Sequence, residues 1–156
     1  MSEEKPVSPG PSVKALESQP HTPEKEKEPD KFILVAEDSR PNRNILVQNF
    51  KKFGYGVCEF ENGKKAWDYL TQKNDKNIVA VFSDIMMPEM DGLELLKNIR
   101  AHETFKTLPF ILISAVTQKE FIIEAKKNKA NGYLLKPLTS AAIKDKLKDM
   151  FPPPKT

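Results

Sequence analysis

Four acidic or hydroxyl-bearing residues and one lysine stand at the ends of apolar runs. Glu37 and Asp38 follow FILVA (32–36), Asp84 closes the run from Ile78, Ser114 follows PFILI (109–113), and Lys136 follows Tyr133-Leu134-Leu135. Taken singly, an Asp or Ser at such a place reads as a helix cap, and a carboxylate reads equally as a metal ligand or a nucleophile. Repetition at run after run argues for one site. Two carboxylates ~4 Å apart repel by about 4 kcal/mol at an effective dielectric of 20, so three gathered together require a proton or a cation. Mg²⁺ suits hard oxygen donors and keeps positions for water and phosphate oxygens. Zinc is disfavoured, because no His or Cys stands at these ends. A carboxylate beside a metal and a lysine can attack phosphorus and form an acyl phosphate. The cations would neutralise the phosphoryl oxygens, and the Ser114 hydroxyl could hydrogen-bond one of them.

The elements that must gather these residues follow from the pattern. Apolar runs of strand length occur at 32–36, GVCEF (56–60), Ile78 to Phe82, Pro109 to Ile113 and Tyr133 to Leu135. Between and after them lie helical stripes: Ile45, Leu46, Asn49, Phe50 and Phe53; Ala66, Trp67 and Leu70; Leu93, Leu95, Leu96 and Ile99; Phe121, Ile122 and Ala125; Ala141, Ile143, Leu147 and Met150. Strands this uniformly apolar are covered on both faces, as in a parallel sheet. Five alternating βα units predict an α/β, doubly wound, three-layer sandwich. Function in such folds gathers beyond the carboxyl ends of the strands, where Glu37, Asp38, Asp84, Ser114 and Lys136 fall.

The chain of 156 residues suits one domain. Its net charge of +3 hides an asymmetry: residues 1–30 hold four Lys and seven Asp/Glu, the remainder 21 Lys/Arg and 15 Asp/Glu. Residues 1–30 also carry six of the 13 prolines and no aromatic residue, which predicts a disordered tail. Its Ser8-Pro9 and Thr22-Pro23 pairs read as solvated linker. The globular part is mildly basic, yet no block of five like charges marks a nucleic-acid patch. The single cysteine, Cys58, forms no internal disulfide and reads as a small core residue. No run approaches the ~18 apolar residues of a membrane span, and no signal-peptide core opens the chain. A cytoplasmic protein is expected.

Four stretches carry a resemblance: ILVAEDSRPNR (33–43), VFSDIMMPEMDG (81–92), ILISA (111–115) and GYLLKP (132–137). Together with their separations, 46 residues from Asp38 to Asp84, 30 from Asp84 to Ser114 and 52 from Asp84 to Lys136, they resemble the receiver domain of two-component response regulators. The chemotaxis-regulator type, a single receiver, is the nearest likeness, over about residues 31–151, with a short tail at 152–156. The resemblance implies a flavodoxin-like sheet of strand order 2-1-3-4-5. It implies Asp84 as phosphoacceptor, with Glu37, Asp38, Asp84 and the backbone carbonyl of Met86 around Mg²⁺. Lys136 would contact the phosphoryl group and form a cis peptide with Pro137. Ser114 would be the switch hydroxyl, Tyr133 the aromatic that turns inward as Ser114 moves, and Pro88 and Gly92 the residues that shape the loop after Asp84. A signalling switch rather than an enzyme follows. Its donor would be a histidine kinase or histidine phosphotransfer protein, and its reader a protein target on the face of the fourth helix, fifth strand and fifth helix, without nucleic-acid contact or membrane insertion. Family members often carry polar side chains two residues after the phosphoacceptor and two after the switch hydroxyl. Here these are Met86 and Val116, which predicts a long-lived phosphoryl group.

Rival readings fit the residues less well. A flavin binder needs phosphate-holding groups after the first strand, where Glu37-Asp38 would repel phosphate. A phosphohydrolase needs an acid just beyond the nucleophile to protonate the leaving group, and Ile85 and Met86 supply none. Two alternatives stay within the receiver reading. One is a receiver fragment of a hybrid histidine kinase, which EDSRPNRNIL also resembles. The other is a docking-only receiver whose phosphorylation is vestigial. A stand-alone, chemotaxis-type regulator or phosphorelay shuttle is what a complete chain would fit, and Met1 favours completeness.

Overall fold

A computed structural model describes residues 29–115 and 117–152. The expected tails, apart from residues 29, 30 and 152, lie outside the described residues, as does Val116. The elements are β1 (Phe32–Ala36), α1 (Arg40–Lys52), β2 (Gly56–Phe60), α2 (Gly63–Asp68) running on into a π-helical turn (Tyr69–Lys73), β3 (Ile78–Asp84), α3 (Gly92–Ala101), β4 (Phe110–Ser114), α4 (Lys119–Lys127), β5 (Gly132–Leu135) and α5 (Ser140–Met150). The sheet is parallel throughout, in the order β2-β1-β3-β4-β5. The doubly wound α/β expectation holds, including its strand order.

Helix starts follow from side chains placed one residue ahead. Ser39, Asn62, Asp91 and Thr139 each accept a backbone N–H from three residues on, satisfying a donor the helix leaves free. Alternation along the strands then divides the core. Ile33, Val35, Phe82, Ile111 and Ile113 pack under α1 and α5 with Leu46, Phe50, Ile143 and Leu147. Leu34, Ala36, Val81, Phe110 and Leu112 pack under α2, α3 and α4 with Ala66, Leu70, Leu95, Ile99 and Ala125. The Phe50 and Phe82 rings, 4.7 Å apart, knit α1 to the central strand.

The structure extends two strands beyond their expected carboxyl ends, and β5 begins one residue earlier than expected, at Gly132. β3 continues past Phe82 through Asp84, and β4 includes Ser114. The cause is pairing on both sides: Ser83 lies opposite Ala36 of β1 and Leu112 of β4, and Asp84 lies opposite Ile113. Asp84 is therefore held in the ladder itself, not on a free loop. The π-helical turn after α2 was not expected from the Ala66, Trp67, Leu70 stripe.

The loop after Asp84 is closed by glycine. Gly92 donates its N–H to the Ile85 carbonyl at 2.8 Å, and a Cβ at Gly92 would overlap the Asp84 carbonyl oxygen. Only glycine allows α3 to start so near the strand end. Gly92→Ala is expected to lower stability by about 1–3 kcal/mol through backbone displacement, measured as a fall in the denaturant midpoint; an unchanged midpoint would contradict this role.

Candidate functional site

β1 delivers Glu37 and Asp38, β3 delivers Asp84, and β5 delivers Lys136, all to one edge of the sheet. Carboxylate oxygens of Glu37, Asp38 and Asp84 lie within 4.8 Å of one another. Their surroundings differ sharply. Glu37 is fully buried, Asp84 is buried and Asp38 is exposed. Glu37 Oε2 accepts the Ser39 N–H at 3.0 Å, while the buried Oε1 has no hydrogen-bond partner among the described residues. Asp84 Oδ1 accepts the Ile85 N–H at 2.8 Å. Lys136 Nζ donates to Asp84 Oδ2 at 3.0 Å and lies 3.7 Å from Glu37 Oε1, an ion-pair distance rather than a hydrogen bond.

The electrostatics follow from this packing. Burial pushes the Glu37 carboxyl up to about 8, and the Asp84 charge adds to the effect; the Ser39 N–H and the Lys136 ammonium oppose it. Burial works against the Lys136 ammonium, but the hydrogen bond and charge of Asp84 outweigh it, so its pKa ends above the ordinary value. One lysine thus compensates a cluster of three acids. An all-oxygen donor set with one buried carboxylate oxygen left without a partner fits a small hard cation such as Mg²⁺.

The remaining expected residues are placed as follows. Ser114 is buried at the end of β4, with its Oγ donating to the Ala115 carbonyl at 2.9 Å rather than turned onto Asp84. Tyr133 faces outward, 38% exposed, with Lys126 Nζ 5.9 Å from its ring centroid. Met86 is 56% exposed beside Asp84. The Lys136–Pro137 peptide is cis, as the resemblance implies. Pro88 and Gly92 lie in and at the end of the loop after Asp84.

Two neighbours were given no role by the sequence reading. Arg43 Nη1 donates to the Glu37 carbonyl at 2.7 Å while its Nε bonds Glu59, clamping the strand end that carries the acids. Its place in ILVAEDSRPNR, on the first turns of α1 facing back to β1, was the available signal. Gln118 accepts the Ala115 N–H at 2.7 Å through Oε1. Nothing in the sequence pattern distinguishes it from an ordinary helix-start glutamine.

Acids at the carboxyl ends of β1 and β3 and a lysine after β5, on a 2-1-3-4-5 sheet, define a class: flavodoxin-like α/β domains with an acidic strand-end site. Residues 33–148 match the response regulator receiver domain family. The chain belongs to that family. A chemotaxis protein CheY homolog of Campylobacter jejuni is 37% identical over 120 residues, covering 76% of this chain and 91% of the relative. Chemotaxis protein CheY-3 of Vibrio cholerae is 40% identical over 124 residues, covering 76% and 90%. Among solved structures, a response regulator receiver protein from Pseudomonas putida superposes with a TM-score of 0.68 at 26% identity, covering 79% of this chain and 98% of that one. The chemotaxis response regulator CheY4 of Vibrio cholerae gives a TM-score of 0.68, 26% identity, and 79% and 99% coverage. Among the described residues no helix is long and apolar enough to cross a membrane.

The raised Glu37 pKa has a definite sign in stability. The folded chain keeps a proton that the unfolded chain gives up above 4.5. Stability from Glu37 is therefore fully present below 4.5 and is lost as pH rises through about 8. Without divalent cations, Glu37→Gln should gain in melting temperature relative to the parent between pH 5 and pH 8, read by thermal denaturation at the two pH values. A difference that does not change with pH would contradict the assignment.

Proposed function

We propose that this receiver accepts a phosphoryl group from a phosphohistidine donor, a histidine kinase or histidine phosphotransfer protein, onto Asp84. The observation that carries the reading is the pairing of Asp84 Oδ2 with Lys136 Nζ at 3.0 Å beside a buried Glu37 oxygen that has no hydrogen-bond partner among the described residues. In this reading an Asp84 carboxylate oxygen attacks phosphorus. The P–O bond of the acyl phosphate forms, the P–N bond to the donor imidazole breaks, and the leaving imidazole takes a proton. Lys136 follows the transferring phosphoryl oxygens from its starting place on Asp84. Glu37, Asp38 and Asp84, with the Met86 carbonyl, would hold Mg²⁺. When bound, the ion offsets the charge of the acids and of the phosphoryl oxygens.

Ser114 then leaves the Ala115 carbonyl for the phosphoryl group, and Tyr133 turns from its exposed position into the space vacated. The face of α4, β5 and α5 changes for a protein target. Moving such an equilibrium from 1:99 to 99:1 requires about 5.5 kcal/mol of differential interaction. The protein acts as a cytoplasmic switch; its only chemistry is self-catalysed transfer and slow loss of its own phosphoryl group. The domain is proposed to span 31–151.

Two outcomes test this. Millimolar Mg²⁺ should raise the melting temperature, because it binds the folded cluster only, and Asp84→Asn should weaken the rise; no shift at all would indicate a degenerate pocket. Loading with phosphoramidate and Mg²⁺ should add one phosphoryl group to the parent and none to Asp84→Asn. The loaded protein should be long-lived, since an exposed apolar Met86 offers no hydrogen bond to a hydrolytic water. Met86→Asn combined with Val116→Glu should shorten the lifetime several-fold by phosphate release, and loss from the parent within seconds would overturn the lifetime claim.

A further inference from the structure

Ser114 and Ala115 leave β4 beside one acceptor, the Gln118 amide oxygen. The Ala115 N–H donates to Gln118 Oε1 at 2.7 Å. Ser114 Oγ donates to the Ala115 carbonyl at 2.9 Å and lies 3.4 Å from the same Gln118 oxygen. Only the oxygen end of an amide can accept an N–H, so the Ala115 bond fixes which way the Gln118 amide faces. Gln118 stands just before α4, and its side chain makes no capping bond to that helix. Its oxygen is spent on the strand-end loop instead. The loop is also closed by the Gln118 N–H to the Ala115 carbonyl at 3.1 Å. The register sets Ser114 one residue beyond Ile113, the partner of Asp84.

We propose that Gln118 is a positioning residue of the switch. Its amide oxygen occupies the Ala115 N–H, beside the Ser114 hydroxyl, that a phosphoryl group on Asp84 would recruit. The inference rests on the reading of Asp84 as phosphoacceptor and Ser114 as switch hydroxyl. A neutral amide oxygen is a weaker acceptor than a phosphoryl dianion, so this latch holds in the absence of phosphate and yields in its presence. Because Gln118 leads into the first turn of α4, release frees Ala115 and the start of that helix together. Gln118 thereby sets the balance between two arrangements, and the phosphoryl group shifts it by differential contacts.

The test uses the full chain, with beryllofluoride and Mg²⁺ as the probe. Gln118→Met keeps side-chain length and removes the acceptor. It should bind beryllofluoride about three- to tenfold more tightly than the parent, the range expected when one competing hydrogen bond is removed. In the metal-free, unphosphorylated chain, the Ala115 amide should exchange hydrogen faster in Gln118→Met, with β4 still protected. Gln118→Glu, which keeps an acceptor, should retain the slow exchange. Should Gln118→Met fail to fold, Gln118→Ala carries the same comparison. Unchanged or weaker binding by the acceptor-free variant overturns the latch while leaving the phosphoacceptor reading intact. A parent chain that does not bind beryllofluoride overturns the phosphoacceptor reading, and the latch with it.

Discussion

The mutual repulsion of Glu37, Asp38 and Asp84 is the constraint around which the carboxyl edge of this sheet is built. Their oxygens sit within 4.8 Å of one another, and one of the three carboxylates is fully buried. At such spacing two charged carboxylates repel by about 4 kcal/mol at an effective dielectric of 20, and by less where solvent screens the exposed Asp38. One lysine, reaching from β5 between Glu37 and Asp84, relieves part of it. The rest is relieved by a proton on Glu37 or by a cation. An arrangement that is costly when left alone is one that an incoming ion and phosphoryl group can reorganise.

The fold holds these charges in place through its backbone. Asp84 is fixed by pairing with β4 and by the Ile85 N–H on its own carboxylate. Gly92 brings α3 close enough to close the loop behind it. Arg43 ties the Glu37 carbonyl to β2 through Glu59. The Lys136 backbone N–H donates to the Ser114 carbonyl at 2.9 Å, which ties the lysine's backbone to the end of β4. The apolar layers on both sides of the sheet make that edge rigid where the acids stand. Ser114 and Ala115, where β4 ends, are held instead by a few polar contacts to Gln118.

Much of this was legible in the residues. FILVA and GVCEF are strands to the residue: FILVA because a continuous apolar run has little alternative in a two-faced parallel sheet, GVCEF, half-buried at the sheet edge, because glycine and turn residues bound it. The acids, serine and lysine were legible as a set because parallel topology sends every strand's carboxyl end to one edge. What the pattern could not convey lives in rotamers and loop turns. Glu37 and Asp38 are adjacent in sequence, yet one is fully buried and the other exposed. Ser114 turns toward its own loop, and Tyr133 faces solvent. The π-helical turn at Tyr69–Lys73 follows from no periodicity, since residues 66–70 fit an ordinary helix equally well.

Trapping the acyl phosphate tests the central claim most directly. The chain would be loaded with phosphoramidate and Mg²⁺, reduced with borohydride, and mapped by tandem mass spectrometry. Reduction is expected at a single side chain, Asp84, dependent on Mg²⁺ in the loading step. Reduction at Glu37, Asp38 or elsewhere, or no reduction with Mg²⁺ present, would contradict it.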